Sequence, residues 1–292
     1  MSSLRKTIKP VNWKVSIMKK SAFSRVVKLA AVFVPILFSA VALGNSLEDT
    51  HRFRLGAYKQ DVDVTGSVTK NPLPEVELDF DKVLGLEDSS ETYFFSYQWR
   101  FKEKWSLQAF YSQLGASGKR VATKDFNYDG VEYTAGAKLE TDFDLDTYLL
   151  AVNYSFVHDD KKEFGVGFGL HAFDIDTTIA GAVGVGGEER GGVRTSGEVV
   201  APLPNLRFFG TYMITSKWEV SLSGGWLSFS YDDYDGDYLF LTAFTEYRFT
   251  DNFGIGISYQ VAEIDVAHED SSGKEKFDME LYGPSIFLTY GF

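Results

Sequence analysis

The sequence has no cysteine and only seven prolines in 292 residues. If the chain is exported, it therefore has no disulfide bond to form in an oxidising compartment. Beyond residue 44 it also lacks an apolar run of the about 20 residues that a membrane-spanning helix needs. Aromatic residues are abundant, with 25 Phe and 16 Tyr. An exported chain of this kind is either a soluble β protein or a membrane barrel, and its stability must come from a large hydrogen-bonded framework.

The first 44 residues differ from the rest because they contain no acidic residue. An apolar run from Leu29 to Gly44 ends in Ala40-Val41-Ala42 and Ala42-Leu43-Gly44, which both fit a small-residue cleavage site. The segment predicts a secretory signal peptide over residues 1–44, for which a membrane anchor is the alternative. Met18 precedes two lysines and also resembles a natural start. The basic residues of this segment are Arg5, Lys6, Lys9, Lys14, Lys19, Lys20, Arg25 and Lys28.

The charge balance shifts once this segment is removed. The whole chain has 29 basic and 41 acidic residues, and subtracting the eight basic residues of 1–44 leaves 21 against 41, or about −20. Such an acidic surplus disfavours nucleic acid as a partner, because phosphates require lysine and arginine. It is typical of a surface that faces divalent cations.

A short aromatic motif recurs five times: an aromatic residue, any residue, then an aromatic or aliphatic residue. The copies are Trp99-Arg100-Phe101, Tyr154-Ser155-Phe156, Tyr212-Met213-Ile214, Tyr247-Arg248-Phe249 and Tyr290-Gly291-Phe292. A short polar turn and another aromatic residue follow each of the first four copies. Four turns predict eight strands, and one strand before them (52–64) and one after them (277–292) make ten, with eight or twelve as alternatives.

Apolar and small or polar residues alternate around each motif. In residues 148–156 one face carries Tyr148, Leu150, Val152, Tyr154 and Phe156. This period-two pattern with aromatic ends predicts transmembrane strands whose apolar face meets lipid. Nine residues rise about 30 Å, or about 22 Å after tilting, which covers an apolar band of about 25 Å. The fold predicted for residues 45–292 is therefore all-β, a single antiparallel up-and-down transmembrane barrel.

Long polar stretches separate the predicted hairpins and indicate extracellular loops. They cover about 65–91, 116–142, 177–199, 231–236 and 267–276. The second contains a hairpin turn signal at Asn127–Gly130, where two long strands are expected to continue and meet. The third is rich in glycine and is expected to be mobile.

The signal peptide, the alternating strands and the last strand Tyr282–Phe292 resemble the small Gram-negative outer-membrane barrels, the OmpA- and OmpW-like domain family. The resemblance covers the whole mature chain in pattern and points to no one subfamily. It implies a location in the cell outer membrane. It also implies that Tyr290 and Phe292 form the signal read by the barrel assembly machinery, because a terminal Phe preceded by alternate aromatic residues has that role in the family.

Strand parity predicts that charged side chains line the barrel interior: Arg54, Arg100, Arg207, Glu219, Glu246 and Arg248. Polar and aromatic side chains share this face, among them Gln98, Gln108, Asn153, Gln260, Phe94, Phe110, Phe209, Phe244 and Phe287. Small barrels are filled by side chains, whereas open channels need about 16 strands. Ten strands therefore predict a largely plugged interior. The alternative is a narrow path for ions or solutes, favoured by small inward residues such as Gly165, Gly167, Gly169, Gly254 and Gly256.

The outward-facing registers end in carboxylates just above the apolar band. The predicted outer-interface acidic ring comprises Asp61, Asp63, Glu91, Asp146, Asp174, Asp237, Glu263, Asp265 and Glu280. Lipopolysaccharide phosphates lie at this height, and carboxylates and phosphates can share Ca²⁺ or Mg²⁺. The hypothesis is cation-bridged contact with lipopolysaccharide, against the simpler interpretation that the strands become solvated there.

No group of residues in the sequence indicates catalysis, a cofactor or a resident metal. His171 is predicted to face inward with Asp174 nearby. Omptin-type outer-membrane proteases pair His and Asp at the rim of a ten-stranded barrel, but a second Asp pair is missing here. Lipid A deacylases use a lipid-facing His and Ser, whereas His171 faces the other way. A His-Asp pair without a positioned partner does not activate a nucleophile or water.

The function predicted is therefore non-enzymatic, a structural or surface-interaction barrel in the outer membrane. The first alternative is a narrow channel, and the second is an outer-membrane hydrolase of the omptin or lipid A-modifying kind. Outer-membrane lipids, lipopolysaccharide and the assembly machinery are the expected partners. Outward-facing Gly210 and Gly224 would permit close packing against a second barrel, and the oligomeric state stays open.

Overall fold

The computed structural model describes most of the chain after residue 44. The residues described are 45–70, 76–79, 89–123, 125–128, 131–185, 188–231, 234–269 and 273–292. The predicted signal peptide, 1–44, lies outside this set. Among these ranges, no helix has the length and apolar content needed to cross a bilayer.

The described residues contain thirteen strands and one short 3₁₀ turn. The turn is Ser46–Glu48. The strands are β1 His51–Lys70, β2 Val76–Asp79, β3 Ser89–Lys102, β4 Trp105–Val121, β5 Phe126–Tyr128, β6 Val131–Tyr133, β7 Lys138–His158, β8 Lys162–Val185, β9 Glu188–Thr215, β10 Trp218–Tyr231, β11 Tyr234–Arg248, β12 Phe253–Glu269 and β13 Gly273–Gly291.

Ten long strands close into an antiparallel barrel. Each pairs with its neighbour in chain order, and β13 pairs with β1 to complete the ring, from Arg52 opposite Gly291 out to Lys70 opposite Gly273. In the part of the barrel next to the short turns, each strand is paired on both sides, which is the arrangement that lets strands cross a bilayer. Further out, the β9–β10 ladder ends at Leu206 opposite Trp226, and the β3–β4 ladder ends at Tyr93 opposite Gln113. The prediction of a single all-β, ten-stranded barrel is confirmed. The four short turns lie where the aromatic motifs placed them.

The predicted extracellular loops were too long, because the strands continue well past the apolar band. The glycine-rich stretch 177–199 is mostly ladder: β8 and β9 pair out to Val185 opposite Glu188. Of the stretch 231–236, only two residues lie between the end of β10 and the start of β11. Pairing continues because it satisfies the backbone N–H and C=O groups, whatever the side chains beside them.

The hairpin signal near residue 127 forms a separate two-stranded sheet, β5 with β6. The expectation that the two long strands meet there was wrong, since β4 and β7 pair only as far as Val121 opposite Lys138. Another short strand, β2, pairs with the outer end of β1.

The barrel has two parts with opposite arrangements of apolar and polar residues. In the first part the outward face is apolar and exposed, as at Leu150, Phe168 and Ile286. In the outer part the outward face of β7 carries Glu140, Asp142, Asp144 and Asp146, and the apolar side chains point inward. The outer part therefore has the burial pattern of a water-exposed β structure, and it continues from a lipid-exposed barrel. Beyond Leu170, β8 extends about 50 Å along the strand.

Two outward-facing glycines lie beneath aromatic rings of the neighbouring strand. A Cβ atom at Gly210 would lie 2.8 Å from the Phe164 ring, and one at Gly224 would lie 2.5 Å from the Phe208 ring. Contacts within the barrel thus account for both glycines, and packing against a second barrel is not needed to explain them.

Candidate functional site in the barrel interior

The segment before β1 lies across the end of the interior that carries the short turns. Asn45 caps the 3₁₀ turn, accepting a hydrogen bond from the Leu47 backbone N–H at 3.0 Å. Its side chain also donates to the Asp160 carbonyl at 2.7 Å, and the Leu47 carbonyl lies 3.1 Å from His158 Nε2. The Leu47 side chain is fully buried. The segment therefore closes this end of the barrel, tied to the turn between β7 and β8.

A charge network of three arginines and three carboxylates lies directly above the Ser46–Glu48 turn. Its members are Asp49, Arg52, Arg54, Glu219, Glu246 and Arg248. Arg54 Nε donates to Glu246 Oε2 at 3.0 Å, and Arg54 Nη2 donates to Glu219 Oε1 at 3.3 Å. Arg248 Nη1 donates to Asp49 Oδ1 at 3.0 Å. The network is electrically balanced, which is the condition under which buried charges are tolerated.

Parity therefore placed four of the predicted interior residues in one network, Arg54, Glu219, Glu246 and Arg248. It missed Asp49 and Arg52. Arg52 shares the inward parity of Arg54, which was a usable signal, whereas Asp49 precedes the strand and carries no periodicity. Ser46, whose hydroxyl donates to Glu219, was missed for the same reason.

Arg100, the fifth predicted residue, forms a separate pair beside the network. Its Nη2 donates to Glu163 Oε2 at 2.9 Å, and the Ser155 hydroxyl donates to Glu163 Oε1 at 2.5 Å. The sequence prediction placed Glu163 in the short polar turn after the second aromatic motif, residues 158–163. The structure makes it the second residue of β8 and buries it inside the barrel.

A cavity of about 130 Å³ lies above the charge network. Arg207, the sixth predicted residue, lines it together with Arg54, His171, Gln108 and Gln260. Its aromatic walls include Tyr58, Phe94, Phe110, Phe240, Phe244 and Phe287. The guanidinium carbon of Arg54 lies 4.6 Å from the Phe244 ring centre, and that of Arg207 lies 4.9 Å from the Phe240 ring centre. Such cation–π contacts stabilise a buried guanidinium only partly.

An apolar cluster closes the outer side of the cavity. It includes Phe143, Leu145, Phe173, Ile264 and Met279, all of them buried inside the outer part of the barrel. The prediction that polar and aromatic side chains fill the interior therefore holds only for its lower and middle parts, and apolar side chains fill the outer part. The alternation that buries polar residues in the lipid-exposed part buries apolar ones further out, because water now surrounds the outward face.

Inward-facing glycines do not open a path through the interior. A Cβ at Gly165 or Gly256 would collide with the inward ring of Phe209 or Phe287. A Cβ at Gly169 would lie 2.9 Å from the Arg207 side chain. The glycines make room for large neighbours, so the support that they lent to the channel alternative is removed.

The predicted acidic positions lie on the outward face, in groups set by strand register. Glu280 lies opposite Asp63 on one side and Glu263 on the other. Asp146 pairs with Asp174, and Asp237 with Asp265. Glu263 is only 8% exposed, whereas Asp63 and Glu91 are exposed. The remaining member, Asp61, lies opposite Tyr282.

These groups do not form a preassembled metal site. Within the part of the chain that the structure describes, no three His, Cys, Asp or Glu side chains are placed to hold one ion. Cation-bridged contact with lipopolysaccharide stays a prediction. It would require the lipid phosphates to complete the coordination of Ca²⁺ or Mg²⁺.

Carboxylate crowding on the outer part has a consequence for stability. Burial raises the pKa of Asp144, and the nearby carboxylates of Asp176, Asp142 and Asp146 raise it further above 3.8. A raised carboxyl pKa means that the charged form opposes folding at neutral pH, and that the penalty disappears as the pH falls through the raised pKa. We expect Asp144→Asn to raise the thermal unfolding midpoint at pH 7 and to have no such effect near pH 3.

Asp159 provides a control of opposite sign. The backbone N–H groups of Lys161 and Lys162 donate to its carboxylate, both at 2.9 Å, and the pKa of Asp159 is lowered, first by the Lys161 bond. Asp159→Asn should therefore lower the midpoint at pH 7. If both substitutions shift the midpoint in the same direction, the electrostatic explanation is wrong.

His171 and Asp174 are not brought together. His171 faces the cavity, where the Asn205 side-chain amide lies 2.7 Å from its Nδ1 and the Phe173 ring stacks at 5.8 Å. Asp174 is on the outward face, opposite Asp146. The parity of the two positions already separates them, since they are three residues apart in one strand.

Tyr290 and Phe292 lie at the C-terminal end of the closing strand, on the side of the short turns. The Tyr290 ring centre is 4.7 Å from that of Phe253 and 5.5 Å from that of Phe292. The Phe292 carbonyl accepts hydrogen bonds from the backbone N–H groups of Thr50 and His51, at 2.8 and 2.9 Å. Their role as an assembly signal stays a prediction.

Solved structures provide the comparison for this architecture. The outer-membrane protease OmpT from Escherichia coli aligns with a TM-score of 0.55 at 10% identity, over 87% of this chain and all of that one. This chain has the fold of an outer-membrane β-barrel. The translocator domain of the autotransporter NalP from Neisseria meningitidis aligns with a TM-score of 0.48 at 10% identity, over 93% of this chain and 95% of that one.

The outer-membrane protein OprG from Pseudomonas aeruginosa aligns with a TM-score of 0.36 at 12% identity, over 85% of this chain and 98% of that one. Sequence identities this low show a likeness in fold alone. No protein-family profile and no curated protein matches the sequence.

Proposed function

We propose that this protein is a non-enzymatic, non-conducting barrel of the cell outer membrane that presents an acidic extension outside the cell. The observation that carries the proposal is that buried side chains occupy the interior at both ends. The charge network and the Ser46–Glu48 turn fill the periplasmic end, and the apolar cluster fills the outer part. A barrel closed in this way transmits neither ions nor solutes, so its function lies on its surface.

The outer extension supports a role in surface interaction. Its ladders continue past the apolar band between β8 and β9, out to Val185 opposite Glu188, and between β1 and β13, out to Lys70 opposite Gly273. Exposed carboxylates such as Asp142 and Asp144 lie on its outward face. An acidic surface suits contact with cations and cationic surfaces, including the cation layer of lipopolysaccharide.

The separation of His171 from Asp174, on opposite faces of β8, supports the non-enzymatic part of the proposal. His171, which lines the cavity, is hydrogen-bonded to an amide and surrounded by aromatic rings. The likeness to OmpT is one of fold, and that protein's activity is not transferred by it.

Planar-bilayer recording tests the proposal. After gel mobility has shown that heating unfolds a compact barrel, the purified protein should insert and give no discrete current steps. An open porin of similar concentration provides the positive control. Reproducible single-channel steps from the wild-type protein would overturn the proposal and support the narrow channel.

A deletion variant tests the two ends of the interior separately. The variant without residues 45–49 lacks the periplasmic turn and Asp49, and it should remain silent because the apolar cluster still closes the outer part. Current steps from this variant would show that the apolar cluster does not seal the interior, and would contradict closure at both ends.

A further inference from the structure

The interior cavity contains a buried cation without a counter-charge. Arg207 is 6% exposed, and none of the ion pairs found in the described residues includes it. Its Nη2 donates to Gln108 Oε1 at a long 3.4 Å, and its Nη1 has no hydrogen-bond partner among the described residues. Buried charges are normally paired, because an unpaired one is costly to desolvate.

Arg54, the other arginine of the cavity, differs in this respect. Its charge is balanced by Glu219 and Glu246 in the network below. Among the described residues, no Asp or Glu lines the cavity itself, so its electrostatic field is positive and is centred on Arg207. An anion is the chemical complement of such a site.

Aromatic rings form much of the rest of the cavity wall, beside polar side chains such as Gln60, Ser258 and Gln260. The ring centres of Tyr58 and Phe94 are 4.6 Å apart, and Phe287 lies edge-on to Phe94 at 6.3 Å. The volume of about 130 Å³ is close to that of an engineered apolar cavity of about 150 Å³ that holds benzene. The site therefore combines one anion-binding group with walls that fit a flat apolar body.

We propose that the cavity binds a small amphipathic carboxylate, with its anionic head on Arg207 and an apolar body about the size of a benzene ring against the phenylalanines. The planar guanidinium can bind a carboxylate through two parallel hydrogen bonds. Binding neutralises the charge of Arg207 and satisfies Nη1. The proposal is independent of the surface role, since a closed barrel can hold a ligand without conducting it.

Benzoate is the probe for this site. Because both ends of the interior are closed, the purified protein is unfolded in urea and refolded in detergent with ¹³C-labelled benzoate, so that the cavity forms around it. Free benzoate is then removed and the retained label is counted by NMR. We expect about one benzoate per folded barrel, and at least about tenfold less retained benzyl alcohol, since a charge-assisted hydrogen bond is worth more than that factor.

Two variants locate the bound probe. Arg207→Gln should reduce benzoate retention about tenfold or more, whereas Arg120→Gln, the same change at an exposed outer position, should leave it unchanged. Thr242→Phe fills the cavity while keeping Arg207, and it should exclude benzoate as well. Gel mobility before and after heating shows that each variant has folded.

Specific outcomes would overturn the proposal. Failure of the folded wild-type protein to retain benzoate would do so, as would equal retention by Arg207→Gln or Thr242→Phe. Displacement of benzoate by an equal concentration of chloride during refolding would show a site for simple anions only, and would also overturn it. Conductance measurements test the closed barrel separately, so the two proposals can fail independently.

Discussion

Replacement of Glu219 by leucine is expected to lower the free energy of unfolding by about 3–5 kcal/mol. Glu219 is 1% exposed and contacts Ser46, Arg52 and Arg54. Its removal takes one carboxylate from Arg52 and Arg54, so the three buried arginines of the network share two carboxylates. A buried charge that has lost its partner is costly. Equilibrium unfolding in urea, followed by tryptophan fluorescence in lipid vesicles, measures the change.

Glu140→Leu is the matched control, because it removes the same side chain from an exposed ion pair. Glu140 accepts a hydrogen bond from Lys119 at 2.8 Å on the outer face. Exposed pairs contribute little to stability, so this variant should unfold close to the wild-type midpoint. Equal losses in the two variants would mean that the charge network does not stabilise the barrel through its buried charges.

Phe143→Ala is expected to destabilise the outer part of the barrel by about 3–5 kcal/mol. Phe143 is 1% exposed within the apolar cluster, and its truncation would leave a cavity there. Since the change lies beyond the apolar band, we expect faster hydrogen exchange in the outer halves of β7 and β8 and unchanged exchange near Tyr154. Hydrogen exchange read by mass spectrometry resolves the two regions.

Asp142, one residue earlier, provides the internal comparison. It is on the opposite face of β7, exposed to solvent, so Asp142→Ala should leave exchange in the outer part almost unchanged. The opposite result, protection lost with Asp142→Ala and kept with Phe143→Ala, would show that the outer part does not have its apolar residues inside.

Sequence periodicity was sufficient for the membrane part of the fold. The alternation from Tyr148 to Phe156 assigns each side chain to one face, and aromatic residues mark the strand ends near the turns. Parity also identified Arg54, Glu219, Glu246 and Arg248 as inward-facing. It could not say which of them meet, because partners across the barrel depend on strand number and stagger.

The outer part was harder to predict because the same alternation has the opposite meaning there. In residues 139–146 apolar and acidic residues alternate as clearly as further along β7, but the apolar ones face inward. Glycines in 177–199 obscured the strand pattern, since glycine contributes no side chain to it. Asp49 lies outside any periodic segment, and only the folded barrel places it beside Arg248.

The segment 45–49 also affects the seam at which the barrel closes. β1 and β13 are joined by their backbone ladder, and the Asp49–Arg248 pair joins the start of β1 to β11, a strand beyond that seam. Separation of β1 from β13 would therefore break buried ion pairs together with the ladder. The first residues of the folded barrel thus stabilise this seam, and add buried ion pairs to the backbone ladder that opposes its lateral opening toward lipid.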